Sequence, residues 1–313
     1  MDTVKPGTAV ARTEAERLRA LAREARLEGP DAPYWVERLE PERNELLRAV
    51  RYYTGHGDTE AAVELAADVW RLWHILGHIA GGRQFLAAAL DGAAGEPSSA
   101  RALALYGDGL LAFRQGAQDE SRRRNEAALA VARSVRDSHA EALALVGLSR
   151  VALRDGDYGG VRALAAEARE RARRLPAAAG VAPLHMLAAG TRLAGDLDAA
   201  AELYRESLAL NRHLGDRRMV GVELHNLGHL EVHRGNLDVA RGYFTECVDL
   251  RDGHNPYDVA MTTLNEAAVA LAEGDRRGAA ELLGRTQSAL ERAGIVLDPD
   301  DAYEVDWLRG QLA

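Results

Sequence analysis

Residues 225-HNLGHLEVHRGNLDVARGYFTEC-247 read as two helices joined by a tight turn. Gly235 punctuates them, and Asn236 behind it is a residue type that starts helices. Counted from Gly235, a small residue lies seven positions back (Gly228) and five on (Ala240). A bulky one follows nine on (Phe244), and another small one twelve on (Cys247). Small residues where antiparallel helices cross let the backbones approach, and one ring a turn further on fills the space between pairs. The metre recurs outward in both directions: Gly116, Gly156, Gly195, Gly235 and Gly274 are spaced by 40, 39, 40 and 39 residues. Seven before each glycine stands Gly109, Ser149, Ala188, Gly228 or Ala267; five after stands Ser121, Val161, Ala200, Ala240 or Ala279. One such unit cannot bury its own apolar face, so stacked copies must share a continuous core. The expected fold is an all-α, right-handed superhelical solenoid of about five or six helix pairs.

Residues 1–12 read as a disordered terminus and 13–58 as N-terminal helices. The first helix runs from Thr13 to about Leu27 and is broken by Gly29-Pro-Asp-Ala-Pro33; a second covers Tyr34 to about Tyr53, with Asp58 as the next N-cap. Thr59 to Leu76 forms a third helix, which opens a repeat region spanning 59–297. There Gly77 is an earlier turn glycine, and Trp70 stands where later units hold a small residue. Asp157, Asp196, Asn236 and Asp275 are placed to cap second helices. Asp298-Pro-Asp-Asp starts a last amphipathic helix, 298–313, expected to cap the array with a polar outer face and to be packed down by Trp307.

The spacing resembles the tetratricopeptide repeat, whose helix pair reads W-x2-L-G-x2-Y and then A-x3-F-x2-A. His225-Asn-Leu-Gly228 with Ala240-x3-Phe244-x2-Cys247 carries the likeness, as does Leu187-Ala188 with Ala200-x3-Tyr204-x2-Ser207. The period is longer than the family's roughly 34 residues, so the helices late in each unit are longer by about a turn. Long units of this kind resemble the repeat region of LuxR-type and antibiotic-regulator ATPases. Trp35-Val-Glu-Arg-Leu39, Glu42-Arg-Asn44, Trp70-x2-Trp73 and Gly77-His78-x3-Gly82-Arg83 extend that resemblance toward the N-terminus. No G-x-x-x-x-G-K-[ST] phosphate loop occurs, and Lys5 is the sole lysine. The resemblance therefore implies the sensing or docking half of such a regulator, without its ATPase or DNA-binding parts, in an actinobacterial-type cell.

Bulk properties narrow the function classes. A net charge of −9 opposes duplex binding, which needs a basic face to displace counterions. No apolar run approaches the roughly 18 residues of a membrane span, and Met1–Arg12 lacks a signal-peptide core. Cys247 is the single cysteine, so no internal disulfide is possible and a reducing, cytoplasmic setting is expected. Cys247 falls in a small-residue packing slot, which suits a structural thiol better than a nucleophile. Trp35, Trp70 and Trp73 suit the core at the start of the array better than a stacking site for a flat ligand.

In tetratricopeptide arrays the first helix of each pair lines the concave groove. That register puts Tyr106, Arg114, Arg150, Arg154, His185, Arg192, His225, His229 and His233 on one wall. Within an acidic chain, such a wall suits a peptide or protein partner carrying carboxylates. The competing reading is a solvated face, or local pairing with Glu and Asp. His225, His229 and His233 share one helix stripe at i, i+4 and i+8; two could hold a metal with His185 as a third ligand, but no carboxylate base stands beside them as in H-E-x-x-H. Asn226 and Asn265 occupy the place where some family members clamp a peptide carboxylate. No catalytic constellation is recognisable, and no metal or cofactor is expected. The reading is a non-catalytic interaction or regulatory module that binds a peptide, protein or small-molecule effector in its concave groove. Two alternatives stand beside it: a binder or sequestering protein for a small molecule of a natural-product pathway, in a pocket lined by Trp70, Tyr106, His185 and His225, and an enzyme using the groove histidines. If the wall is open, replacing His225 and His229 by alanine should weaken binding and leave melting nearly unchanged.

Overall fold

The computed structural model describes residues 6–90, 96–250 and 255–313. Helix α1 (Pro6–Glu24) begins ahead of Thr13, inside the stretch expected to be disordered; residues 1–5 of that stretch lie outside the described residues. Pro41 interrupts the second expected helix: α2 (Ala32–Leu39) passes through a 3-10 turn, Glu40–Glu42, into α3 (Arg43–Gly55). The third is also divided, into α4 (Thr59–Val69) and α5 (Arg71–Ile75), with Trp70 at the break. The Trp70 ring covers Gly107, where a Cβ would come within 2.7 Å of it. Edge-on contact with Tyr106 at 5.6 Å completes the packing. Trp73 stacks on Phe85 of α6 (Ile79–Leu90) at 4.1 Å. Trp70 and Trp73 are thus core residues.

Five antiparallel pairs follow. They are α7 (Ser99–Arg114) with α8 (Gln118–Val135), and α9 (Ser138–Arg154) with α10 (Tyr158–Ala172). Then come α11 (Val181–Leu193) with α12 (Leu197–Leu214), and α13 (Arg217–His233) with α14 (Leu237–Asp249). The fifth is α15 (Pro256–Ala272) with α16 (Arg276–Ala293), after which α17 (Pro299–Leu312) ends the series. Among the described residues there is no strand, and no helix is long and apolar enough to cross a membrane. The architecture is an all-α solenoid of the tetratricopeptide type.

The turn glycines do what their spacing predicts. Gly116, Gly156, Gly195, Gly235 and Gly274 all have φ between +75° and +93°, a region closed to most side chains. Asp157, Asp196 and Asp275 then accept the backbone N–H of Gly160, Ala199 and Gly278. Asn236 departs from this pattern: it makes no cap, and its Nδ2 donates to Glu231 Oε2 at 2.8 Å. The crossing residues are buried as expected. Phe244 lies across Gly228, and Asn125 takes the equivalent place between Gly109 and Gly147. Cys247 is only half-buried, and its thiol meets the Gly221 carbonyl at 3.4 Å.

One superhelical turn brings the last pair back to the N-terminal helices. Pro256 Cδ lies 2.5 Å from where a Gly77 Cβ would stand, and Asn255 Nδ2 donates to the His74 carbonyl at 3.3 Å. Ile295, Val305 and Leu308 share one apolar core with Leu18, Leu46 and Leu86. That closure carries residues 295–312 across the inner face, onto the first helices of the pairs.

Candidate functional site

The inner wall is built by α7, α9, α11 and α13, and α17 lies on it with its acidic stripe turned inward. At one end Arg114 Nη1 is 2.7 Å from Asp298 Oδ2, with the guanidinium 4.6 Å from the centre of the Tyr257 ring. Arg154 donates to the Phe113 carbonyl (2.7 Å) and the Leu297 carbonyl (3.0 Å), with its cation 3.7 Å over the Phe113 ring. Further along, Arg192 donates to Asn226 Oδ1 at 3.0 Å and pairs with Glu304. His225 Nε2 is 2.8 Å from Asp301 Oδ1, and the Tyr257 hydroxyl donates to the other oxygen of Asp301. His229 has Nδ1 3.1 Å from Glu304 Oε2 and Nε2 3.0 Å from Asn265 Oδ1. His233 Nε2 reaches Glu304 at 2.9 Å. Glu304 and His229 are 0% exposed, and Arg192 is 3% exposed.

Of the wall residues expected from sequence, Arg114, Arg154, Arg192, His225, His229 and His233 therefore meet the 297–304 segment. The other three turn to local partners. His185 Nδ1 lies 3.1 Å from Glu223 Oε1, and Arg150 reaches the Tyr106 hydroxyl at 3.4 Å. Tyr106 is buried against Trp70. Asn226 and Asn265 each hold a wall residue, Arg192 and His229 respectively, and do not face an open groove. Trp70, Tyr106 and His225 are buried. His225 and His229 are interior while α17 is seated; stability cannot be indifferent to their joint loss, because it would remove partners of Asp301 and Glu304.

The charge on the wall comes from arginine more than histidine. Burial pushes His229 well below its ordinary pKa, with neighbouring His225 and Arg192 adding to the effect. His233 falls to about 4, through burial and then Arg192. Both are neutral at pH 7, so His229 donates from Nε2 to Asn265 Oδ1 while its Nδ1, near Glu304, makes no hydrogen bond. Burial works against a charged His185, but Glu223 outweighs it and the pKa lies above the usual value. Burial likewise opposes the charge on Arg114, yet Asp298, Tyr257 and Asp301 hold its pKa above the ordinary one. Burial also opposes ionisation of Asp301, and His225 and Tyr257 outweigh it, leaving the pKa low.

Asp300 goes the other way. Burial, then Asp301 and Asp298, push it up to about 6. Its ordinary value is near 3.9. A carboxyl with a raised folded-state pKa penalises the fold above that pKa, and the penalty vanishes below the unfolded value. Asp300→Asn is therefore expected to raise the melting temperature at pH 8 by a few degrees, reflecting about 1–3 kcal/mol. At pH 4 the gain should be mostly gone. Thermal unfolding followed by circular dichroism at both pH values checks this; an equal gain at both would place the cause outside the carboxylate.

Metal chemistry finds a different set from the one the histidine stripe suggested. Among the described residues, only Asp298, Asp300 and Asp301 bring three ligand oxygens within 4.8 Å of one another. Asp298 and Asp301 already face Arg114, His225 and Tyr257. His229 and His233 both approach Glu304, while His225 turns to Asp301, so the three imidazoles do not share one point. Elsewhere, an open depression of about 380 Å³ between α3, α6 and the end of α16 is lined by Arg43, Leu47, Trp73, Phe85 and Ala293, and contains none of the expected wall residues.

Reading the wall from sequence missed its counterpart, Asp298, Asp301 and Glu304. A signal was present: Asp301 and Glu304 fall on the same helical stripe as Val305 and Leu308, so carboxylates stand on the face that α17 must bury.

No protein-family model matches the sequence, and no curated protein sequence matches it. Solved structures do resemble the fold. A Rap protein complexed with competence and sporulation factor aligns at TM-score 0.64 and 12% identity, covering 97% of this chain and 98% of the other. NprR in complex with its cognate peptide NprX aligns at TM-score 0.55 and 15% identity, covering 96% and 83%. At these identities the likeness is one of fold: this chain is similar to peptide-complexed helical-repeat proteins along nearly its whole length.

Proposed function

We propose that this protein is a non-catalytic, regulatory interaction module that docks a peptide or protein segment on the inner wall of its solenoid. The observation that carries the reading is the wall itself: one buried and two half-buried arginines with a histidine stripe, aligned across successive pairs and already engaging residues 297–304. Rap and NprR, with the same overall fold, are each complexed with such a factor or peptide, which supports a peptide as the occupant here. The regulatory setting rests on the resemblance of Trp35–Leu39, Trp70-x2-Trp73 and Gly77–Arg83 to LuxR-type regulators.

Selection of displayed random peptides on the full chain tests this. Selected peptides are expected to lose about tenfold or more in affinity on Arg154→Ala, as when a charge-assisted hydrogen bond is removed. They should be unaffected by Arg277→Ala on an exposed helix. Failure to select any peptide, or peptides indifferent to Arg154, would refute the proposal.

A further inference from the structure

Deepening the proposed function, and resting on it, we infer that residues 297–312 are an internal occupant of the docking wall, and that the external partner is an acidic helical segment presenting carboxylates in the pattern of Asp298, Asp301 and Glu304.

The contact between α17 and the wall gathers more charge than the other crossings of the array. Most helices meet through small residues and a filler, as Gly228 meets Phe244, with isolated buried carboxylates at Asp108 and Glu223. Here carboxylates meet Arg114, Arg192, His225, His229 and His233, with Asp301 and Glu304 buried and Asp298 partly exposed. Buried ion pairs stabilise a fold poorly compared with apolar groups of the same volume, because both charges lose their hydration. Their strength lies in selecting one pattern of charges and one register. A wall made this way discriminates among segments by where their carboxylates fall.

The internal segment also leaves the wall incompletely used. Arg114 Nε and Arg192 Nε are buried with no hydrogen-bond partner. These are donors that a better-matched acidic segment would engage, and buried polar groups normally are engaged. The connection suits exchange. Gly294, at φ +62°, ends α16, and residues 295–298 are non-helical. That strap is held by Val296 N–H on the Arg114 carbonyl (2.9 Å) and by Arg154 on the Leu297 carbonyl. Release of α17 would let water reach Arg192 and Glu304 and would uncover Val305 and Leu308, while the crossings within the five pairs stay in place.

The occupant competes from a tether, so its effective concentration is of millimolar order. An external segment must exceed it through the unused donors.

The test uses the full chain and a labelled synthetic peptide of residues 295–313. In the variant Asp301→Asn/Glu304→Gln, amides of 299–312 are expected to lose exchange protection while those of α13 keep theirs. The peptide should bind this variant about 10–100-fold more tightly than wild type, since its tethered competitor is weakened. A peptide carrying the same two substitutions should bind neither protein. Unchanged protection of α17, or equal affinity for the two proteins, overturns the inference. Should the variant not fold, the same peptide is added in excess to wild type. Selective loss of protection in α17 supports the inference, and unchanged protection overturns it. The two readings fail separately. A variant that opens and binds selected peptides without acidic residues, but not the acidic probe, sinks the acidic-occupant inference alone. One that opens and binds no peptide sinks the docking function as well.

Discussion

Gly228→Ala is expected to lower the stability of the protein, although alanine is the better helix former by about 1 kcal/mol. The reason is the crossing of α13 over α14. A Cβ at position 228 would lie 2.1 Å from Phe244 Cε1 and 2.5 Å from Cδ1, far inside contact distance. The ring has little room to retreat, being buried and held edge-on to His229 at 5.2 Å. Overpacking of this sort typically costs about 1–3 kcal/mol, enough to reverse the sign of the propensity gain. Gly228→Leu drives three further carbons into the same space and should cost about 3 kcal/mol or more. The control is Gly242→Ala on exposed α14, where nothing lies within 4 Å of the added carbon; it should gain up to about 1 kcal/mol. Urea unfolding of the three variants reads the contrast directly. A neutral Gly228→Ala would mean that the helices can part at no cost, and that small residues at the crossings do not set the spacing.

Arg192→Ala should produce a loss of similar size in a different place. Glu304 is fully buried, and among the described residues this guanidinium is its only cationic partner, since burial keeps His229 and His233 neutral at pH 7. Removing one member of a buried pair costs about 3–5 kcal/mol, because the other charge remains unsolvated. The protein has an escape: Glu304 regains water if α17 leaves the wall. The expected result is therefore undocking of α17 at little change in the melting of the pairs. With 5-fluorotryptophan incorporated, the Trp307 resonance should move to a solvent-exposed position while those of Trp70 and Trp73 stay. If all of the resonances collapse together, α17 is an inseparable part of the core.

The fold was legible because its determinants are local and repeated. A positive-φ turn needs glycine, a helix start needs Asp, and a crossing needs a small residue; each recurs at fixed offsets from Gly116 to Gly274. The wall was legible for the same reason, since register alone puts Arg114, Arg154, Arg192 and His225 on the first helices. What covers the wall was not. Arg154 and Leu297 are 143 positions apart, and no offset rule connects them; their meeting depends on how far each pair rotates against the next. The helix breaks at Pro41 and Trp70 fall between these cases. The first was written in the sequence as a proline inside an apolar pattern. The second arose because Trp70 packs against Gly107 in another helix.

The contact of Pro256 with the Gly77 turn has a consequence for how the chain can vary. Open repeat arrays tolerate gain or loss of units, because each copy touches only its neighbours. Here the first and last units touch, and Arg114 and Arg154 must reach residues 297–298 at the far end. Deleting or duplicating one 39–40-residue unit would move Pro256 past Gly77 and slide Asp298 off Arg114. The copy number is fixed by geometry, so related chains should diverge freely in sequence and on their outer faces while keeping the same count of pairs.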